Sequence, residues 1–169
     1  MAKRLRKMLG SAESPWIKSL KRLVETQNKG TVARWCLTYT QANILPVFER
    51  RCPGDIRPRM AIEASRDWFA GRLKLPQAKD IILNQCHAAA RELDADPAAQ
   101  AAARACGHAA SCCQTPGHSL GPAFYGAAAI AYDRVGLEES DVVYERIAKE
   151  VCQEMERDLR AWVTAQGTD

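Results

Sequence analysis

Apolar residues recur at three- and four-residue spacing along most of the chain, and nowhere do they alternate with period two for long enough to make a strand. The pattern is clearest near the C-terminus, where Val143, Ile147, Val151, Met155, Leu159 and Trp162 form an unbroken apolar stripe. Ser140 is placed to cap that helix, and Asp141 and Glu145 complement the positive end of its dipole. At the other end, Ser14-Pro15 reads as a helix start, serine capping and proline at the first helical position. Lys29-Gly30 reads as the break after that helix, Thr31 as the cap of the next, and Pro46 as a junction near Asn43–Leu45. Arg51-Cys52-Pro53-Gly54 is a turn, after which Pro58 opens a helix that Gly71 closes. The predicted fold is all-α, one compact bundle of about seven or eight helices. It is a single domain over 1–169, with 1–13 as a basic N-terminal segment and 164–169 as a frayed tail.

Between residues 77 and 136 the stripe gives way to alanine. Three helical segments follow one another here, separated by Asp96-Pro97 and by Thr115-Pro116-Gly117. From Ala88 to Ala131 there are 17 alanines, and Gly107, Gly121 and Gly126 add further small side chains. Alanine is the best helix former, whereas each glycine inside a helix costs roughly 1 kcal/mol. Small faces let helix axes approach to ~8 Å. This stretch therefore reads as the tightly packed centre of the bundle.

Composition narrows the class. A length of 169 residues suits one domain, and 47% hydrophobic with 26% charged residues is ordinary for a globular protein. No apolar run approaches the ~18 residues of a membrane span, and no apolar segment follows the basic start as in a secretory signal. Seven cysteines in no framework spacing point to a reduced cytoplasm. The net charge of +4 is uneven: residues 1–30 carry eight Lys/Arg against Glu13 and Glu25. Only Trp16 offers a stacking ring among those charges, so nucleic acid is a weak expectation and a solvated helix face the simpler one.

All three histidines and four of the cysteines fall in the Ala-rich stretch. His108 and Cys112, four apart on one helix, share a face, with Cys113 and His118 close in sequence. Such ligands would suit zinc, but no paired C-x-x-C or H-x-x-x-H element is present, and cysteine equally packs as a small hydrophobe. The expected cofactor complement is none. His87 and Arg91 share a face, and with Asp55, Arg57, Arg59 and Glu63 they are candidates for a polar network. No phosphate-cradling loop, H-E-x-x-H or G-x-S-x-G motif occurs, which leaves enzyme status without positive support.

The ordered segments SPWIKSLKRLVETQNKGTVARWC (14–36), LPVFERRCPGDIRPRMAIEASRDWFAG (45–71), CHAAAREL (86–93), AARACGHAAS (102–111) and HSLGPAFYGAAAIAYDRVG (118–136) resemble a bacterial family of immunity proteins from polymorphic toxin systems. The resemblance spans nearly the whole chain. It implies an α-helical, non-catalytic protein that binds and neutralises a cognate toxin, and it carries no catalytic residues across. Cys112-Cys113-Gln114 stand where that family leads one to expect a more ordinary small or polar run, so a metal site there would belong to this chain alone. Acidic residues collect between Glu138 and Asp158, and Glu138, Glu139, Asp141 and Glu145 form the expected partner-binding surface for a basic toxin. A metal- or redox-responsive module and an anionic-surface binder are the alternatives, and small-residue helices also suit a homodimer.

Overall fold

The helix Pro97–Ser111 runs through the middle of the molecule, buried on nearly every side. The computed structural model describes residues 4–112 and 115–166. In chain order the helices are α1 (Pro15–Glu25), α2 (Lys29–Asn43), α3 (Leu45–Arg51), α4 (Arg57–Phe69), α5 (over 75–91), α6 (Pro97–Ser111), α7 (over 121–135) and α8 (Asp141–Gln166). A 3-10 turn, Pro116–Leu120, leads into α7. No strand occurs among the described residues, and the fold is all-α.

Alanine explains the central place of α6. Ala98, Ala99, Ala101, Ala102, Ala103, Ala105, Ala109 and Ala110 are all buried, so the helix presents a small apolar surface in every direction. A helix apolar all round must be enclosed. Here α2, α3, α4, α5 and α7 enclose it. Bulk comes from the surrounding elements, in Trp35, Leu37, Phe48, Ile62 and Ile82. Asp96 fixes its start by accepting from Ala99 N at 3.1 Å, with Pro97 where no donor is needed. Outside this layer, the stripe of α8 (Ile147, Val151, Met155, Leu159) closes the core against α1, α2 and α7.

Three expectations need correction. Lys29 and Gly30 lie inside α2, because Asn28 caps it first, accepting from Thr31 N at 2.8 Å. The residues read as a frayed tail are helical as far as Gln166, whose side-chain oxygen accepts from Thr31 Oγ1 at 3.0 Å; residues 167–169 lie outside the described ones. The basic N-terminal segment packs onto the bundle, where Leu9 is buried and its N–H donates to Phe124 O at 3.2 Å. The first helical segment of the Ala-rich stretch starts at 75 rather than 77, runs to 91 and widens into a π segment, Asp80–Cys86, where Asp80 accepts from Asn84 at 2.7 Å and Gln85 at 3.1 Å. That wider turn shifts the helix face by about one residue before His87.

Candidate functional site

The three histidines meet. His87 on α5 and His108 on α6 have ring centroids 6.1 Å apart, nearly perpendicular. His118, in the 3-10 turn, lies 5.3 Å from His108, and Tyr125 of α7 lies 5.0 Å from it on the same terms of tilt. Two glycines create the room. A Cβ on Gly107 would stand 2.7 Å from His87 Cε1, and one on Gly121 would overlap the side chain of His108. Burial lowers the pKa of both His87 and His108, the latter to about 4, and the charges of Arg91 and Arg104 push His87 the same way. Both imidazoles are therefore neutral at pH 7. His118 Nδ1 is buried with no hydrogen-bond partner among the described residues.

The metal expectation named His108, Cys112, Cys113 and His118. The structure joins His108 to His118 but buries Cys112 in the core beside Cys36, whose thiol is itself within 3.9 Å of Ser119 O. Cys113 lies outside the described residues. Among the described residues, no three His, Cys, Asp or Glu side chains are disposed to hold a metal ion.

The polar-network candidates separate into pieces. Arg57 holds Asp55 and Glu92, each at 2.7 Å, tying the start of α4 to the end of α5. The guanidinium keeps the Asp55 carboxyl below the usual carboxylate range. Arg59 pairs with Glu49 at 2.6 Å, while Glu63 is exposed. His87 belongs to the histidine cluster instead, with Arg91 as an electrostatic neighbour on the exposed side.

The acidic run of α8 is also divided. Glu154 and Asp158 turn toward Tyr39, whose hydroxyl pKa burial and these carboxylates raise, and Glu156 turns toward α1, where Ser19 donates to it at 2.9 Å. Glu138 and Glu139 stand in the connection between α7 and α8. Tyr144 braces that connection by donating to Gly136 O at 2.8 Å and accepting from Glu139 N at 3.1 Å. Glu145 is not a bare surface charge, because Arg6 donates to it at 2.6 Å. Tyr132 Oη also donates to Arg6 O at 2.5 Å, so residues near Arg6 strap down over α7 and α8. Between strap and corner lies a cleft of about 380 Å³, lined by Leu5, Tyr132, Leu137, Glu138, Glu139 and Asp141 among others.

Sequence reasoning missed two residues of this corner. Leu137 is 42% exposed and Val142 79% exposed. Val142 stands one residue off the buried stripe that begins at Val143, and that offset is the signal that marks it as an apolar group on the outer face.

No helix among the described residues is long and apolar enough to cross a membrane. No curated protein and no solved structure matches the chain. One family model does, over residues 22–158, a span that takes in α2 to α7, the histidine cluster and most of α8. On that match the chain belongs to the family described as Imm-5 like putative immunity protein.

Proposed function

We propose that this protein neutralises a cognate bacterial toxin by direct, non-catalytic binding, with the corner between α7 and α8 as its contact surface. Family membership supports the toxin-directed role. The observation that carries the choice of surface is Val142, the most exposed large apolar side chain of those described, beside Leu137, Glu138 and Glu139. An apolar anchor within a charged rim has the composition of a protein-binding patch. Glu138, Glu139 and Asp141 steer a basic toxin surface toward that anchor. Glu145 acts from behind, by holding Arg6 and with it one wall of the cleft. The alanine-packed centre keeps this surface preorganised, which limits the ordering cost of association.

The test is co-purification with the products of neighbouring open reading frames. The expected result is a stable complex with one of them, lost on Val142→Asp while the variant keeps its helical circular dichroism. A complex indifferent to Val142→Asp removes the corner, and no complex with any neighbouring product removes the function.

A further inference from the structure

Val142, Lys149, Gln153 and Arg157 follow one another at spacings of seven, four and four, so they stand on one side of α8. Beyond the corner, that side borders a groove of about 610 Å³ between α1 and α8, lined by Trp16, Ser19, Lys149, Gln153, Arg157 and Arg160 among others. Its polar groups are unequal. Glu156, also in the lining, is already engaged by Ser19 at 2.9 Å and by Arg160 at 2.7 Å. Lys149 and Arg157 make no ion pair among the described residues. The groove offers donors and positive charge, and its one carboxylate is spoken for.

We infer that this groove receives an acidic segment of the protein partner, with carboxylates bound by Arg157 and Lys149. A guanidinium takes a carboxylate through two parallel hydrogen bonds, and an ammonium adds a point charge. That the segment belongs to the toxin rests on the reading of the α7–α8 corner given above. Val142 and Arg157 are fifteen residues apart on the helix, about 22 Å, which lies within the span of an ordinary interface of about 800 Å² per partner. The partner surface therefore reverses sign along α8, basic opposite Glu138 and Glu139, acidic opposite Arg157.

A nucleic acid fits this groove less well. The Lys149 ammonium sits 5.8 Å from the centroid of the Trp16 ring and covers the face on which a base would stack. Lys18 and Lys21, the next cations along α1, lie 2.7 and 4.0 Å from Glu13 and Glu25.

The experiment is a titration of the ¹⁵N-labelled protein at low salt with the peptide acetyl-Glu-Asp-Leu-Glu-Asp-amide, following the Trp16 indole N–H. A saturable shift is expected, weakened at least tenfold in Arg157→Gln/Lys149→Gln and unchanged in the charge-matched Lys74→Gln/Lys79→Gln, whose exposed side chains lie at the start of α5 outside the groove. No saturable shift, or one that Arg157→Gln/Lys149→Gln leaves intact, overturns the proposal. So does a single-stranded oligonucleotide that displaces the peptide at a lower concentration than the peptide itself needs. Because the peptide arm uses no toxin, failure to find a toxin and failure of the groove are separate results.

Discussion

Arg6 donates to Glu145 at 2.6 Å, joining residues 139 apart in sequence and closing the basic N-terminal segment onto the acidic start of α8. The contact cancels charge that the sequence assigns to two different surfaces. It also builds the wall of the cleft beside Leu137 and Glu138. Both partners are partly exposed, so Arg6→Ala is expected to lower global stability by about 0.2–1 kcal/mol. The local effect is larger: limited proteolysis should cut near Arg6 markedly faster in the variant, with the rest of the digestion pattern unchanged. Equal cutting rates in both proteins would show that Leu9 and Tyr132 hold the strap without the ion pair.

Glycines of the Ala-rich centre are not interchangeable. At Gly121 a new Cβ meets the Cβ of His108, close to the backbone and unable to move aside. Gly121→Ala should therefore cost about 1–3 kcal/mol through overpacking. At Gly126 the new Cβ meets the far end of the Ile44 side chain, which can rotate away. The helix-propensity gain of about 1 kcal/mol then offsets most of the penalty. Urea unfolding of the two variants checks the contrast, and equal losses would refute it.

The bundle was legible in the sequence because capping and periodicity are local. Ser14-Pro15, Asp96-Pro97 and the stripe from Val143 to Trp162 mark helices that the structure contains, although Ser14 holds the cap position without a side-chain cap bond, its Oγ accepting from Ser11 N instead. What spacing could not reveal were contacts made across the fold. His87, His108 and His118 converge through two glycine sockets and a π segment, neither of which alters the local pattern. Glu145 looked free because its cation lies at the other end of the chain. Cys112 shares a helical face with His108 on paper, yet its thiol sits in the core against Cys36, a neighbour 76 residues back in the chain.

Stability should fall as the pH is lowered from 6.5 toward 4. Unfolded histidines take up protons near their ordinary value of 6.5, while folded His87 and His108 resist them, His108 down to about 4. The unfolded chain then binds more protons, so the stabilisation is complete above 6.5 and lost as the pH falls through this window. Asp55 and Asp133, held low by arginines, lose their contribution at still lower pH. Urea midpoints measured between pH 7.5 and 4.5 should show the decline, and His108→Gln should flatten it. A flat wild-type profile contradicts the burial argument.

Thiol reactivity should follow burial. Cys36, Cys86, Cys106, Cys112 and Cys152 are buried, and burial raises the thiol pKa of Cys86 and Cys152 to about 12. Cys52 is only half-buried. A short pulse of iodoacetamide on the native protein, read by peptide mapping, should label Cys52 ahead of these five. Early labelling of Cys36 or Cys112 would mean that the core opens there readily, and would revive a redox role.

The most direct measurement is a toxicity-and-rescue assay. Each neighbouring open reading frame of the source genome is expressed alone, then with the wild-type protein, then with Glu138→Lys/Glu139→Lys. The account predicts one product that is toxic alone, tolerated beside the wild type, and toxic again beside the charge-reversed variant. Rescue by the variant as complete as by the wild type contradicts the assignment of the α7–α8 corner, and the absence of any rescued toxicity contradicts the function itself.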